Sequence, residues 1–145
     1  MKMSLATILL VDDEVPFVET MTKRLTKRDL TVLGAFSGQQ ALSLLEQKDQ
    51  IEVVILDVKM PGLDGIDTLK RIRADFPLAE VIMLTGHATV ESAIDGMKLG
   101  AFDYLMKPCD LDHLIEKVVE AAERRRKHEE KIVQARIKEI TARRA

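Results

Sequence analysis

Apolar residues follow two alternating rhythms along this chain. Short, mostly apolar runs occur at Thr7-Ile8-Leu9-Leu10-Val11, Thr31-Val32-Leu33-Gly34-Ala35, Val53-Val54-Ile55-Leu56, Glu80-Val81-Ile82-Met83-Leu84 and Ala101-Phe102-Asp103-Tyr104-Leu105-Met106. All five predict strands, with Val53–Leu56 and Thr7–Val11 reading as buried on both faces. Between them, apolar positions recur three and four apart, as on one face of a helix. Phe17, Val18, Met21 and Leu25 form the first stripe, and Pro16 suits its opening turn. Gly38 opens a second helix with Ala41, Leu44 and Leu45. A third spans about Ile66 to Asp75, with Ile66, Leu69, Ile72 and Phe76 inward and Pro77 as its stop. Val90, Ala93, Ile94 and Met97 mark a fourth, followed by Gly100. A fifth begins near Leu111 and uses Leu114, Ile115, Val118 and Ala122.

Strand and helix therefore alternate five times. That pattern predicts an α/β fold: a doubly wound, five-stranded parallel sheet with helices on both faces and an extended C-terminal helix. The expected strand order is the flavodoxin-like 2-1-3-4-5. In that order the carboxyl ends of strands 1, 3, 4 and 5 share one edge. They carry Asp12 and Asp13, Asp57, Thr85, and Lys107 respectively, so four scattered stretches are expected to form one polar site.

The 145 residues suffice for one domain with a full core. A composition of 46% hydrophobic and 32% charged residues with net charge −2 is that of an ordinary soluble chain. No apolar run is long enough to span a bilayer, and Met1-Lys2-Met3-Ser4 leads no signal stretch. The single Cys109 rules out an internal disulfide and a CxxC motif, so a cytoplasmic setting is expected. With no Trp and one Tyr, stacking on nucleic acid is poorly supplied. Charge is uneven: residues 111–145 carry a net +3 and the remainder −5.

Each site residue also has a plain structural reading. Asp12-Asp13-Glu14 suits the positive end of a helix. Asp64 suits an Asp-Gly turn, Thr85-Gly86 a strand exit and Lys107-Pro108 a surface turn. Tyr104 suits a core aromatic, and His87, His113 and His128 suit solvent. Their coincidence at four strand ends favours a working site instead. Three clustered carboxylates repel one another, which raises their pKa values or calls for a cation. Oxygen ligands of this kind suit Mg²⁺. Lys107 adds a positive point charge and Thr85 a hydroxyl. Phosphate loops, HExxH pairs and Ser–His–Asp sets are absent from the sequence. The inventory fits phosphoryl chemistry at an Asp nucleophile.

These motifs, taken in order, resemble the receiver domains of two-component response regulators. The matching stretches are Ile8 to Val11 with Asp12-Asp13-Glu14, Leu56-Asp57-Val58-Lys59-Met60-Pro61-Gly62-Leu63-Asp64-Gly65, Leu84-Thr85-Gly86 and Tyr104-Leu105-Met106-Lys107-Pro108. They cover about residues 5–122. Gly86-His87-Ala88 and Ala101-Phe102-Asp103-Tyr104 look most like receivers of NtrC-type enhancer-binding transcription activators. The resemblance implies a signalling switch rather than an enzyme with its own substrate. Asp57 would take a phosphoryl group from a sensor histidine kinase or phosphotransfer protein. Asp12, Asp13, Asp57 and the main-chain carbonyl of Lys59 would hold Mg²⁺. Thr85 and Lys107 would hold phosphoryl oxygens, and Thr85 would gain a hydrogen bond that it lacks at rest. Tyr104 would turn inward behind Thr85 and remodel the face made by helix 4, strand 5 and helix 5. The Lys107–Pro108 peptide would be cis, and Lys59 and His87 would tune the lifetime of the acyl phosphate.

This reading divides the chain into a receiver at 1–122 and a basic helical extension at 123–145, serving as linker or dimerisation helix. Arg124-Arg125-Arg126-Lys127 is expected to lie on a solvated helix end. Ile132, Val133, Ile137 and Ile140 recur at about heptad spacing, which suits a homodimer through that helix and the helix 4–strand 5–helix 5 face. DNA would be reached only through an output domain, and no membrane is involved. Two competing functions are a Mg²⁺-dependent phosphohydrolase with an Asp nucleophile and a receiver-like adaptor that is never phosphorylated. Haloacid-dehalogenase-type hydrolases want an Asp two residues after the nucleophile, where this chain has Lys59. Intact Asp57, Thr85 and Lys107 argue against the adaptor.

Overall fold

The computed structural model describes residues 4–60, 62, 64–86 and 89–144. Five strands, β1 (Thr7–Val11), β2 (Thr31–Ala35), β3 (Val53–Leu56), β4 (Glu80–Thr85) and β5 (Asp103–Met106), alternate with five helices. These are α1 (Val15–Thr26), α2 (Gly38–Gln47), α3 (Gly65–Asp75), α4 (Val90–Lys98) and α5 (Leu111–Arg144). All strand pairs are parallel and the order is β2-β1-β3-β4-β5. β3 and β4 are buried at every position, as their unbroken apolar runs require.

The sheet separates two cores. On one face Ile8, Leu10, Val53, Ile55, Ile82 and Leu84 pack with Val18, Met21 and Leu25 of α1 and with Leu114, Val118, Ala121 and Ala122 of α5. On the other, Leu9, Val11, Val54, Leu56, Val81 and Met83 pack with Ala41 and Leu45 of α2 and with Leu69 and Ile72 of α3. The predicted stripes of α1, α2, α3 and α5 thus face the sheet.

Three differences from the sequence reading matter for function. β5 starts at Asp103 rather than Ala101, although the Phe102 N–H still bonds the Val81 carbonyl. The stripe on α4 faces outward: Val90, Ile94 and Met97 are exposed and Gly96 is the helix's buried residue. Periodicity marks a face without saying what covers it. Finally, the arginines after Glu123 are tied to the rest of the chain as well, although Arg124 and Arg126 remain half-exposed to solvent. Arg125 donates to the Asp49 carbonyl at 2.9 Å. Arg126 grips both Glu52 oxygens at 2.7 and 3.0 Å and also the Leu5 carbonyl at 2.9 Å. Arg124 lies 3.6 Å from buried Glu80. Three successive side chains therefore seat α5 on the amino edge of the sheet. Beyond them, residues 129–143 are exposed throughout, Ile132, Val133, Ile137 and Ile140 included.

Candidate functional site

Each polar side chain of the expected site follows or ends a strand, with its main chain still pinned by a neighbour. The Asp12 N–H bonds the Ala35 carbonyl, the Asp57 N–H bonds the Val11 carbonyl, and the Lys107 N–H bonds the Thr85 carbonyl. Since Val11 pairs with Leu56, Asp12 and Asp57 leave adjacent strands side by side. One carboxylate oxygen from each of Asp12, Asp13 and Asp57 lies within 4.8 Å of the others. Asp12 and Asp57 are buried and Asp13 is exposed, so the cluster opens to solvent on one side.

Lys107 is the counterweight. Its Nζ lies 2.5 Å from Asp12 Oδ2, 3.5 Å from Glu14 Oε1 and 4.0 Å above the centre of the Phe17 ring. Burial alone would depress its pKa, but the hydrogen bond and charge of Asp12, with Asp57 and Glu14 behind, hold it above the ordinary value. The other Asp12 oxygen accepts from the Glu14 N–H at 2.9 Å. Asp57 Oδ1 accepts from the Val58 N–H at 2.8 Å. Burial pushes the Asp57 carboxyl above the usual range; the Thr85 bond and Lys107 pull it down, and the charge of Asp12 adds to the rise.

The clustered carboxylates of Asp12, Asp13 and Asp57 outnumber the one ammonium beside them, and a divalent cation would offset the excess negative charge. The donors are all oxygens, as Mg²⁺ prefers. Glu14 occupies the N-cap position of α1 but makes no side-chain cap there, so the capping role open to the acidic stretch is not performed by Glu14. Lys59 is exposed. The Lys107–Pro108 peptide is cis. His87 lies outside the described residues, as do Pro61 and Leu63.

Thr85 is fully buried where β4 ends at the same edge, and against the rise from burial its side chain lowers the Asp57 pKa. Tyr104 is half-buried, and its hydroxyl lies 2.8 Å from Ser92 Oγ rather than behind Thr85.

Gly65 and Thr68 were missed as contributors. A Cβ on Gly65 would stand 2.0 Å from the Asp57 carbonyl oxygen and 2.6 Å from Val58 Cα. Only glycine lets α3 start this close to the Asp57 loop, and the Gly65 N–H ties it down by bonding the Val58 carbonyl at 2.7 Å. The Asp-Gly pair signals a turn but not this approach. Asp64 caps α3 by accepting from the Asp67 N–H, and buried Thr68 donates to the Asp64 carbonyl. Neither side chain points to a metal role.

Comparison with known proteins agrees with this geometry. Residues 8–119 match the family model described as the response regulator receiver domain. The chain is 39% identical over 114 residues to the transcriptional regulatory protein ZraR of Salmonella typhimurium, a match covering 79% of this chain and 26% of that protein. It is 38% identical over 107 residues to the alginate biosynthesis transcriptional regulatory protein AlgB of Pseudomonas aeruginosa, covering 74% and 24%. A crystal structure of a response regulator receiver domain protein from Clostridium thermocellum superposes with a TM-score of 0.79 at 38% identity. That match covers 83% of this chain and 97% of the other. The chain spans about a quarter of the length of the curated relatives it matches.

Proposed function

The chain belongs to the response-regulator receiver domain family, and from that membership we propose that Asp57 is the phosphoacceptor of a signalling switch. The donor is the phosphohistidine of a sensor histidine kinase or phosphotransfer protein. An Asp57 carboxylate oxygen attacks phosphorus, the O–P bond forms as the N–P bond breaks, and the imidazole leaves. Asp12, Asp13, Asp57 and the Lys59 carbonyl would hold Mg²⁺, which would supply positive charge against the transferring oxygens. Lys107, which pairs with Asp12 at rest, would pair with a phosphoryl oxygen. The observation that carries this reading is the convergence of three carboxylates, a lysine and a threonine from four strands on one edge.

Phosphorylation offers the Thr85 hydroxyl a phosphoryl oxygen, and a charge-assisted hydrogen bond of that kind contributes about 1.5–3 kcal/mol. Tyr104 follows Thr85 inward, and the exposed face of Val90, Ile94, Met97 and Met106 changes shape. That face and the α5 extension from residue 123 pair two copies or pass the signal to an output domain, through which DNA is reached. Residues 1–122 act as the receiver. No helix among the described residues is long and apolar enough to cross a membrane, and the kinase-facing role belongs in the cytoplasm. The chain acts as a phosphorylation partner, not as an enzyme with a separate substrate.

Incubation with acetyl phosphate and Mg²⁺, followed by intact mass, tests the reading. The expected result is one labile adduct of about 80 Da per chain, the mass of a phosphoryl group, absent in Asp57→Asn. Sustained turnover of phosphoesters would favour the hydrolase, and no adduct would favour the unphosphorylated adaptor.

A further inference from the structure

One polar network on the α4–β5 side stands apart from the strand-edge cluster. The Tyr104 hydroxyl lies 2.8 Å from Ser92 Oγ. Ser92 is the third residue of α4 and shares a capping box with Thr89. Its Oγ accepts from the Thr89 N–H at 3.1 Å, lies 2.9 Å from Thr89 Oγ1 and donates to the Thr89 carbonyl at 3.1 Å. A hydroxyl has one hydrogen and two lone pairs. Four contacts therefore compete for three positions, and Tyr104 competes directly with the cap of α4. One turn further along, the ring packs over Gly96: a Cβ there would meet Tyr104 Cδ2 at 3.5 Å, an ordinary contact. The helix holds the tyrosine at two successive turns.

We propose that Ser92 is a positioning residue that keeps Tyr104 in its resting place and ties it to the N-terminal cap of α4. This rests on the reading of Tyr104 as the residue that turns inward on phosphorylation. The turn breaks the bond to Ser92, whose hydroxyl then serves Thr89 alone. Placement of the tyrosine and the order of the first α4 turn are thus coupled. A lost side-chain hydrogen bond changes an equilibrium constant by about 2- to 12-fold, and Ser92 favours the resting placement by that factor.

The chain has one tyrosine, so 3-fluorotyrosine labelling of the full chain gives a single fluorine resonance, that of Tyr104. In the wild type, beryllofluoride with Mg²⁺ should move it. Ser92→Ala without any phosphoryl mimic should move it part of the same way, and Ser92→Thr, which keeps a hydroxyl, should restore it. Thr89→Ala weakens the cap but leaves the Ser92 hydroxyl, and should move it less. The proposal is overturned if Ser92→Ala leaves the resonance in place, or if Thr89→Ala moves it as far. Urea unfolding of Ser92→Ala, Tyr104→Phe and the double variant reads the contact without phosphorylation. Non-additivity of about 2- to 12-fold in the folding constant is expected, and additivity overturns the contact whatever Asp57 does. Non-additivity with a wild-type resonance that ignores beryllofluoride, in protein that still gains the mass adduct, overturns the assignment of Tyr104 as the moving residue instead.

Discussion

The centre of the sheet and its α4–β5 edge are packed to different standards. Every residue of β3 and β4 is buried, whereas β5 buries only Leu105 and α4 only Gly96. Val90 is 79% exposed and Met106 62%, with Ile94 and Met97 near half. The proposed acceptor Asp57 follows the fully buried β3, while Tyr104 belongs to the thinly covered edge. On the proposed function, burial would separate the part that takes the phosphoryl group from the part that reports it, and uneven stability of this kind is expected where a segment must move.

Truncation gives the largest contrast. Leu56→Ala removes a fully buried side chain from β3 and should destabilise by about 2–5 kcal/mol. Ile94→Ala on the exposed stripe should stay within about 0.5 kcal/mol. Urea midpoints measure both, and equal losses would erase the distinction. Next comes Gly65→Ala, which drives a methyl into the Asp57 carbonyl. A cost of about 1–3 kcal/mol is expected from overpacking. Because the obstruction is the acceptor loop itself, phosphoryl uptake should fall with it. Normal uptake at reduced stability would show that the loop yields without disturbing Asp57.

The charge on Asp57 offers a third test, with its sign set by linkage. Burial above all raises its pKa over the usual 3.8. The folded chain therefore binds this proton more tightly than the unfolded one, and stability falls as pH rises. The favourable contribution is complete below the unfolded value and lost as pH climbs through the folded one. Asp57→Asn should accordingly be more stable than wild type at neutral pH, with the gap closing in acid. Mg²⁺ should narrow the neutral-pH gap by binding the wild-type folded state. A variant less stable than wild type at pH 7 would contradict the desolvation account.

Much of this was legible in the chain because the signals are local or periodic. Unbroken apolar runs gave the buried strands, alternation with helices gave the parallel order, and Pro16 and Pro77 bounded their helices. Strand order then collected Asp12, Asp13, Asp57, Thr85 and Lys107 without reference to side-chain geometry. What stayed hidden depends on distant neighbours. The stripe of Val90, Ile94 and Met97 has the same spacing as a buried one, and nothing local says that no element covers it. The ion pairs and hydrogen bonds of Arg124 to Arg126 stayed hidden because Glu52, Glu80 and the Asp49 and Leu5 carbonyls lie some forty or more residues away. Likewise, the clash that fixes Gly65 exists only once α3 folds back against Asp57 and Val58.

The smallest effect sharpens the comparison from the weak side. Gly96 sits inside α4, where glycine is less favourable than alanine by about 0.8–1.0 kcal/mol. An added Cβ would meet Tyr104 Cδ2 at 3.5 Å and Met83 Cγ at 3.7 Å, ordinary contact distances. Gly96→Ala should therefore keep most of the propensity gain and raise stability by about 0.5–1 kcal/mol. Native-state hydrogen exchange should slow along α4, while the fully buried β3 should gain only the global increment. Because the methyl lies under the tyrosine ring, it also stiffens the place from which Tyr104 must depart, and beryllofluoride should move the Tyr104 signal less than in wild type. If α4 gains no protection, its looseness comes from missing cover rather than from its glycine, and the exposed stripe alone accounts for the difference between edge and centre.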